Sequence, residues 1–153
     1  MGEIIMMKQT LTAGLPGLNL QLPEERIDTL VAFGRAMVKQ NEVMNLTGIT
    51  DDNGVANLHL LDSLTVLSTA DLAGKTLIDV GCGAGFPGGP LAIAAPDAKI
   101  TLLDSLGKRM KWLEEVREFP IDGTNHAVIV LRKVVPTPKQ FPRRFAKIKQ
   151  APL

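Results

Sequence analysis

Residues 79–88 read Asp-Val-Gly-Cys-Gly-Ala-Gly-Phe-Pro-Gly, a density of glycine that neither a strand interior nor a helix interior accommodates. Such a segment turns sharply and lets its backbone approach a ligand that a Cβ would hold away. Before it stands Thr76-Leu77-Ile78-Asp79-Val80, a short β-branched and apolar run of the kind buried in a parallel sheet. After it, residues 90–95 are small and apolar, suited to lying flat on a sheet. Pro96-Asp97 then ends that segment before a second strand at residues 99–103. Strand, glycine loop, helix and strand make a βαβ unit, so the fold class is α/β, with the two strands parallel and joined by a right-handed crossover.

Gly83 to Gly88 also satisfies the spacing G-x-G-x-x-G, which leaves two ligand classes open, a nicotinamide or flavin dinucleotide and S-adenosylmethionine. Asp79 bears on the choice. A carboxylate two residues before Gly81 repels a pyrophosphate but attracts the sulfonium and ammonium of S-adenosylmethionine. Asp104, 23 positions after Gly81, ends the second strand where a carboxylate accepts hydrogen bonds from ribose hydroxyls, with Ser105 beside it. Either class uses such an acid. An oxidoreductase using a nicotinamide nucleotide stays as an alternative, as does a turn that uses its glycines only for geometry. Cys82, with no histidine near it in sequence, reads as a small filler rather than a nucleophile.

The flanks are simpler. Residues 1–21 carry Gly14, Pro16 and Gly17 without a clear period and read as an irregular or short helical lead-in. From Pro23 the spacing of Ile27, Leu30, Val31, Gly34, Met37, Val38 and Met44 predicts one amphipathic helix, with Glu24 and Glu25 at its positive end. A second helix, capped by Asp51 or Asp52, is expected to bury Val55, Leu58, Leu61 and Leu64. Ser105 is expected to cap a third, running through Arg109, Met110, Trp112, Leu113 and Val116. Beyond it lie a turn at Asp122-Gly123 and a strand at residues 126–131. By spacing Trp112 is core rather than a base-stacking platform, while Lys108 and Arg109, cations at a helix start, are expected to face solvent or a polyanion.

At 153 residues the chain is expected to be a single domain: a helical part at 1–73, a Rossmann-like core at 74–131 and a tail at 132–153. The first 131 residues hold all 16 acidic groups against 10 Lys and Arg, whereas the tail holds 7 basic groups and no acid. Those cations alternate with Pro136, Pro138, Pro142 and Pro152, a composition that suits an extended segment lying along a polyanion or a solvated appendage. One cysteine excludes an internal disulfide and a thiolate metal cage, so no metal is expected. No apolar run approaches a membrane span and no secretory signal opens the chain, so a cytoplasmic location without membrane partners is expected.

Taken together, several motifs resemble one family. Asn45-Leu46-Thr47, His59-Leu60-Leu61-Asp62-Ser63-Leu64, residues 77–88, and Leu102-Leu103-Asp104-Ser105-Leu106-Gly107-Lys108-Arg109 match it in order and spacing. So do His126-Ala127-Val128-Ile129-Val130, Pro136-Thr137-Pro138 and Phe141-Pro142-Arg143-Arg144. The family is the bacterial methyltransferases that act on guanine N7 of small-subunit (16S) ribosomal RNA, also called glucose-inhibited division protein B. Within the loop only Gly89 departs, where a larger aliphatic residue is common. The resemblance implies a class I S-adenosylmethionine-dependent methyltransferase fold, Rossmann-like and preceded by helices. It also implies an internal shortening, since the middle strands, with an Ala-Glu pair, an arginine and a Ser-Arg-Ala segment of the family's site, have no counterpart between Val116 and about Phe119. The strand at 126–131 must then find a new neighbour or leave sheet edges open.

What the resemblance implies chemically is alignment rather than acid–base work. Guanine N7 has a lone pair and no proton, so it attacks a sulfonium methyl without a general base, and holding the two in line about 3 to 3.5 Å apart supplies roughly 7 to 11 kcal/mol. No catalytic residue is therefore assigned. Gly81, Gly83, Gly85 and Phe86 are assigned to the donor cleft, Asp79 to its positive groups, Asp104 and Ser105 to its ribose, and Arg143, Arg144 and Lys147 to RNA phosphates. His59 is expected to pack or cap a turn, with a substrate-facing role as the alternative. His126 is read as structural. The competing function is a shortened remnant that binds RNA or cofactor weakly without turnover.

Overall fold

The computed structural model describes residues 2–116 and 129–132. The lead-in is more regular than its composition predicts. Helix α1 (Gly2–Gly14) runs into a 3-10 turn (Leu15–Leu18), and its Met7, Leu11 and Leu15 are buried at four-residue spacing. Helix α2 (Glu24–Met44) starts after Pro23, with Glu24 and Glu25 in its first turn, and stops at Asn45, whose φ of 51° is left-handed. The two helices cross closely at Gly34, where a Cβ would lie 3.0 Å from Met7 Sδ and 3.2 Å from Val55 Cγ1. Asp52 ties them together, accepting from Arg35 Nη2 at 2.6 Å and from the Met7 backbone N–H at 3.2 Å.

Asp51 caps the next segment, its Oδ1 accepting from Gly54 N–H at 2.8 Å. The segment is not one α-helix. A short α3 (Asp52–Gly54) passes into a π-helix (Val55–Leu61) and then α4 (Asp62–Thr69). The wider π-turn shifts the inward register, so Leu60 and Leu61 are buried beside Val55 and Leu64, whereas Leu58, expected inside, is 60% exposed.

The βαβ unit forms where the glycines place it. Strand β1 (Thr76–Val80), helix α5 (Gly88–Ala94) and strand β2 (Lys99–Asp104) are followed by α6 (Gly107–Val116) and β3 (Ile129–Arg132). All pairing is parallel, in the order β1-β2-β3, with Ile78 opposite Thr101 and Leu103 opposite Leu131. The last strand thus takes the outer edge of β2; residues 126–128, the expected turn at Asp122-Gly123 and the tail beyond Arg132 lie outside the described residues. With strands laid down in this order, right-handed crossovers put α5 and α6 on one face of the sheet. Ile100 and Leu102 are buried on that face, whereas Ile78 and Val80, pointing the other way, are 55% and 75% exposed. No described helix is long and apolar enough to cross a membrane.

Packing beneath the loop turns on Phe33 of α2, which the sequence reading passed over although it sits three residues after Leu30. A Cβ on Gly89 would lie 2.7 Å from Phe33 Cζ, and one on Gly85 would lie 3.1 Å from the same atom. Gly89 therefore leaves room for this ring. We expect Gly89→Leu to destabilise the fold by about 1–3 kcal/mol through overpacking. Phe33→Ala should cost about 3–5 kcal/mol. The double variant should lose clearly less than the two single losses combined, because the new side chain fills the vacated space. Urea unfolding of the four proteins checks this, and additive losses would contradict the packing.

Candidate functional site

The glycines of the loop divide by what lies over them. Gly81, Gly83 and Gly85 all have positive φ, at 80°, 56° and 88°. Nothing lies within 4 Å of a Cβ built on Gly81, and on Gly83 only the Gly81 carbonyl oxygen, at 3.9 Å. These two backbones face open space. Gly85 instead faces Phe33 and Leu113, while Gly88 faces Leu102 and Asp79. The loop therefore has a packed underside and an open top, located at the carboxyl ends of β1 and β2, where open α/β sheets bind ligands. A concavity of about 590 Å3 between residues 20–22, 67–73 and 94–98 lies at the opposite ends of the strands and is remote from this chemistry.

Both acids are engaged by the loop backbone, Asp104 at Gly83 and Asp79 at Gly88. Asp79 Oδ2 accepts from Gly88 N–H at 2.9 Å, fixing the start of α5 and leaving Oδ1 without a hydrogen bond among the described residues. Burial raises its pKa above the ordinary carboxylate range, the Gly88 N–H opposes that, and the Asp104 charge adds to it. Asp104 Oδ2 accepts from Gly83 N–H at 2.9 Å, and Oδ1 from Leu106 N–H at 2.8 Å. Asp104, rather than the exposed Ser105, thus supplies the side-chain hydrogen bond that turns the chain into α6. Arg109, expected to face outward, instead places Nη1 3.6 Å from Asp104 Oδ2, with Nε buried and unpaired. Lys108 is exposed.

The remaining residues sort by contact. Phe86 meets Phe33 edge-on at 5.2 Å between centroids, and Trp112, 4% exposed, stacks on Phe33 at 6.4 Å, which makes it core. His59 neither caps a turn with its ring nor stands free: Nε2 is 2.9 Å from Thr47 Oγ1, and the ring stacks on Phe86 at 4.9 Å. Burial lowers its pKa, with Asp62 pulling the other way. Among the described residues no cluster of three or more His, Cys, Asp or Glu is placed to hold a metal ion. Arg143, Arg144 and Lys147 lie outside the described residues.

Cys82 is buried within the loop. It is 2% exposed, and burial first, then the negative charges of Asp79 and Asp104, push its thiol up to about 12. We expect the folded protein to resist iodoacetamide at pH 8, with alkylation appearing only as urea opens the structure. Intact-mass measurement along a urea series checks this, and rapid labelling in buffer alone would show the loop to be open.

Comparison with known proteins adds to this geometry. Residues 26–134 match the family described as rRNA small subunit methyltransferase G. A protein named ribosomal RNA small subunit methyltransferase G from Alkaliphilus oremlandii is 45% identical over 112 residues, covering 72% of this chain and 46% of the relative. One of the same name from Photobacterium profundum is 42% identical over 110 residues, covering 72% and 52%. Another, from Haemophilus ducreyi, is 41% identical over 136 residues, covering 88% and 65%. The chain spans about half the length of the first of these curated relatives.

Proposed function

Because this chain belongs to the rRNA small subunit methyltransferase G family, we propose that its glycine loop binds S-adenosylmethionine as donor for methylation of guanine N7 in small-subunit ribosomal RNA. The observation that carries the donor assignment is the pair of open glycine backbones, Gly81 and Gly83, in a loop held by two carboxylates, Asp104 at Gly83 and Asp79 at Gly88. Two carboxylates held at the loop backbone repel a pyrophosphate and favour a cation. When bound, S-adenosylmethionine supplies an electrophilic methyl on a sulfonium.

The residues divide that work. Asp79 offers Oδ1 to positive groups while Oδ2 holds the start of α5. Asp104 already accepts two backbone hydrogen bonds, and each carboxylate oxygen has a second lone pair for a ribose hydroxyl, with Ser105 exposed beside it. Gly85 serves through packing under the loop, and Phe86 through its ring. An acceptor with a free lone pair needs no general base, so the protein's contribution is to hold donor and acceptor in line. N7 lies in the deep major groove of A-form RNA, which favours a loop or distorted helix as the target. Arg143, Arg144 and Lys147 are assigned to its phosphates on composition.

Calorimetric titration with S-adenosylmethionine and with its demethylated product should give measurable heat. Asp79→Asn separates the ligand classes. The amide keeps an acceptor for Gly88, so donor affinity should fall about tenfold through loss of a charged partner alone, whereas a dinucleotide would bind more tightly. Stability moves the other way. Because the folded carboxyl titrates above its unfolded value, the stability linked to Asp79 is complete below the unfolded pKa and is lost as pH rises through the folded one. The thermal midpoint of Asp79→Asn relative to the parent should therefore climb over that range. Heat with a dinucleotide and none with S-adenosylmethionine would overturn the donor assignment.

A separate measurement tests the tail. Neutralising Arg143 and Arg144 together should weaken binding to a small-subunit RNA fragment and reduce the magnitude of the log–log salt slope by about 1.4. An unchanged slope means that these cations touch no phosphate.

A further inference from the structure

The helical half reaches the glycine loop through a second set of contacts that donor binding as described above does not use. Asn41 Oδ1 accepts from the backbone N–H groups of Leu46 at 2.5 Å and Thr47 at 2.8 Å, folding the chain back immediately after α2. Thr47 Oγ1 accepts from Ile49 N–H at 3.1 Å and meets His59 Nε2 at 2.9 Å. The ring of His59 then lies on that of Phe86, 4.9 Å away and inclined by 23°. His59 gets there because it sits within the π-helix Val55–Leu61, whose backbone carbonyl is held in turn by Ser63 Oγ at 2.5 Å. A π-turn re-aims side chains at the expense of regular hydrogen bonding, and such turns recur at functional sites.

Phe86 is therefore held between two rings, Phe33 from α2 at its edge and His59 from the π-helix on its face. Its backbone N–H and that of Gly85 both donate to the Cys82 carbonyl, at 3.1 and 2.8 Å, closing the turn that presents Gly83. We propose that His59 is a positioning residue for the donor site: anchored by Thr47 and stacked on Phe86, it holds the glycine loop in the conformation that leaves Gly81 and Gly83 open. This rests on the donor reading of that loop. His59 touches no reacting atom in this account and acts only through Phe86. Half-buried, it adds little to a core built from α1, α2 and the sheet, so its removal should register at the loop before it registers in global stability.

The test uses the full chain, with S-adenosylhomocysteine as probe in calorimetry and amide hydrogen exchange of the free protein over residues 81–86. His59→Ala should weaken the probe about 3- to 10-fold, the range one aromatic pair supports. It should also speed exchange in the loop while leaving α1 and α2 protected. Phe86→Ala, which also gives up the Phe33 contact, should lose at least as much, and the double variant should be no worse than Phe86→Ala alone, since the His59–Phe86 contact is already absent there. His59→Phe, which keeps a ring on Phe86, should restore most of the affinity and protection. Wild-type affinity and loop exchange in His59→Ala, additive losses in the double variant, or His59→Phe as poor as His59→Ala would each overturn the proposal. A parent protein that gives no heat with the probe overturns the donor reading instead, and loop exchange in the same variants then decides the role of His59.

Discussion

The contact on which this structure depends is a phenyl ring set into the gap where a helix and a turn have no side chains. Phe33 of α2 occupies the space beside Gly85 and Gly89, and around it gather Phe86 from the loop and Trp112 from α6. The glycine loop, the start of α5 and α6 all meet the helical half at this ring, while the rest of α5 packs on α4. Because interiors are close-packed, a ring so placed fixes the height of the loop above the sheet as well as the angle of α2 across it. The open upper surface at Gly81 and Gly83 follows from the filled lower surface at Gly85, Gly88 and Gly89. One run of glycines serves two purposes, close packing below and an open backbone above.

The two carboxylates extend the same logic to electrostatics. Asp79 and Asp104 are held by Gly88 and Gly83 N–H groups in the free protein, so neither has to be drawn into place by a ligand. Preorganised acceptors spare the ordering that binding otherwise requires. Part of the cost is already visible in the free chain, where burial and the neighbouring acid both oppose the charge on Asp79. A cationic ligand relieves that opposition and an anionic one worsens it. In the proposed reading, a preference for a sulfonium over a pyrophosphate follows from burial of Asp79 first and from the nearby Asp104 charge second.

Much of this was legible in the residues themselves. The βαβ unit, the loop and both acids follow from a glycine run between β-branched segments, because backbone constraints of that kind act locally. The misses share a cause. Leu58 was expected inside because three-residue spacing assumes 3.6 residues per turn, and no residue type announces a π-turn. Ser105 was expected to cap α6 by its identity, yet Asp104 one position earlier reaches Leu106 N–H while also holding Gly83, a choice made by the meeting of two loops. Arg109 was expected outward on helix-dipole grounds, and the nearby Asp104 carboxylate outweighs the dipole. Phe33 matters only because glycines 52 and 56 positions later lie above it. Tertiary contact decided each case, and a single sequence carries tertiary contact only faintly.

The exposed face of β1 explains why the helical wall carries so much of the loop's geometry. A doubly wound sheet reverses its strand order to place helices on both faces, and ligands bind at the carboxyl ends of the strands where that reversal occurs. Here the described strands run β1-β2-β3 without reversal, both crossover helices share a face, and Ile78 and Val80 stand uncovered on the other. The glycine loop therefore rises from the outermost strand of the described sheet, beside an edge, instead of lying in a crevice between two halves. One wall beside the glycine loop, made of α2, the π-helix and α6, is present among the described residues and is tightly packed. With support from one side only among the described residues, the loop depends on each contact that wall supplies, and the stack of His59 on Phe86 bears on the turn that presents Gly83.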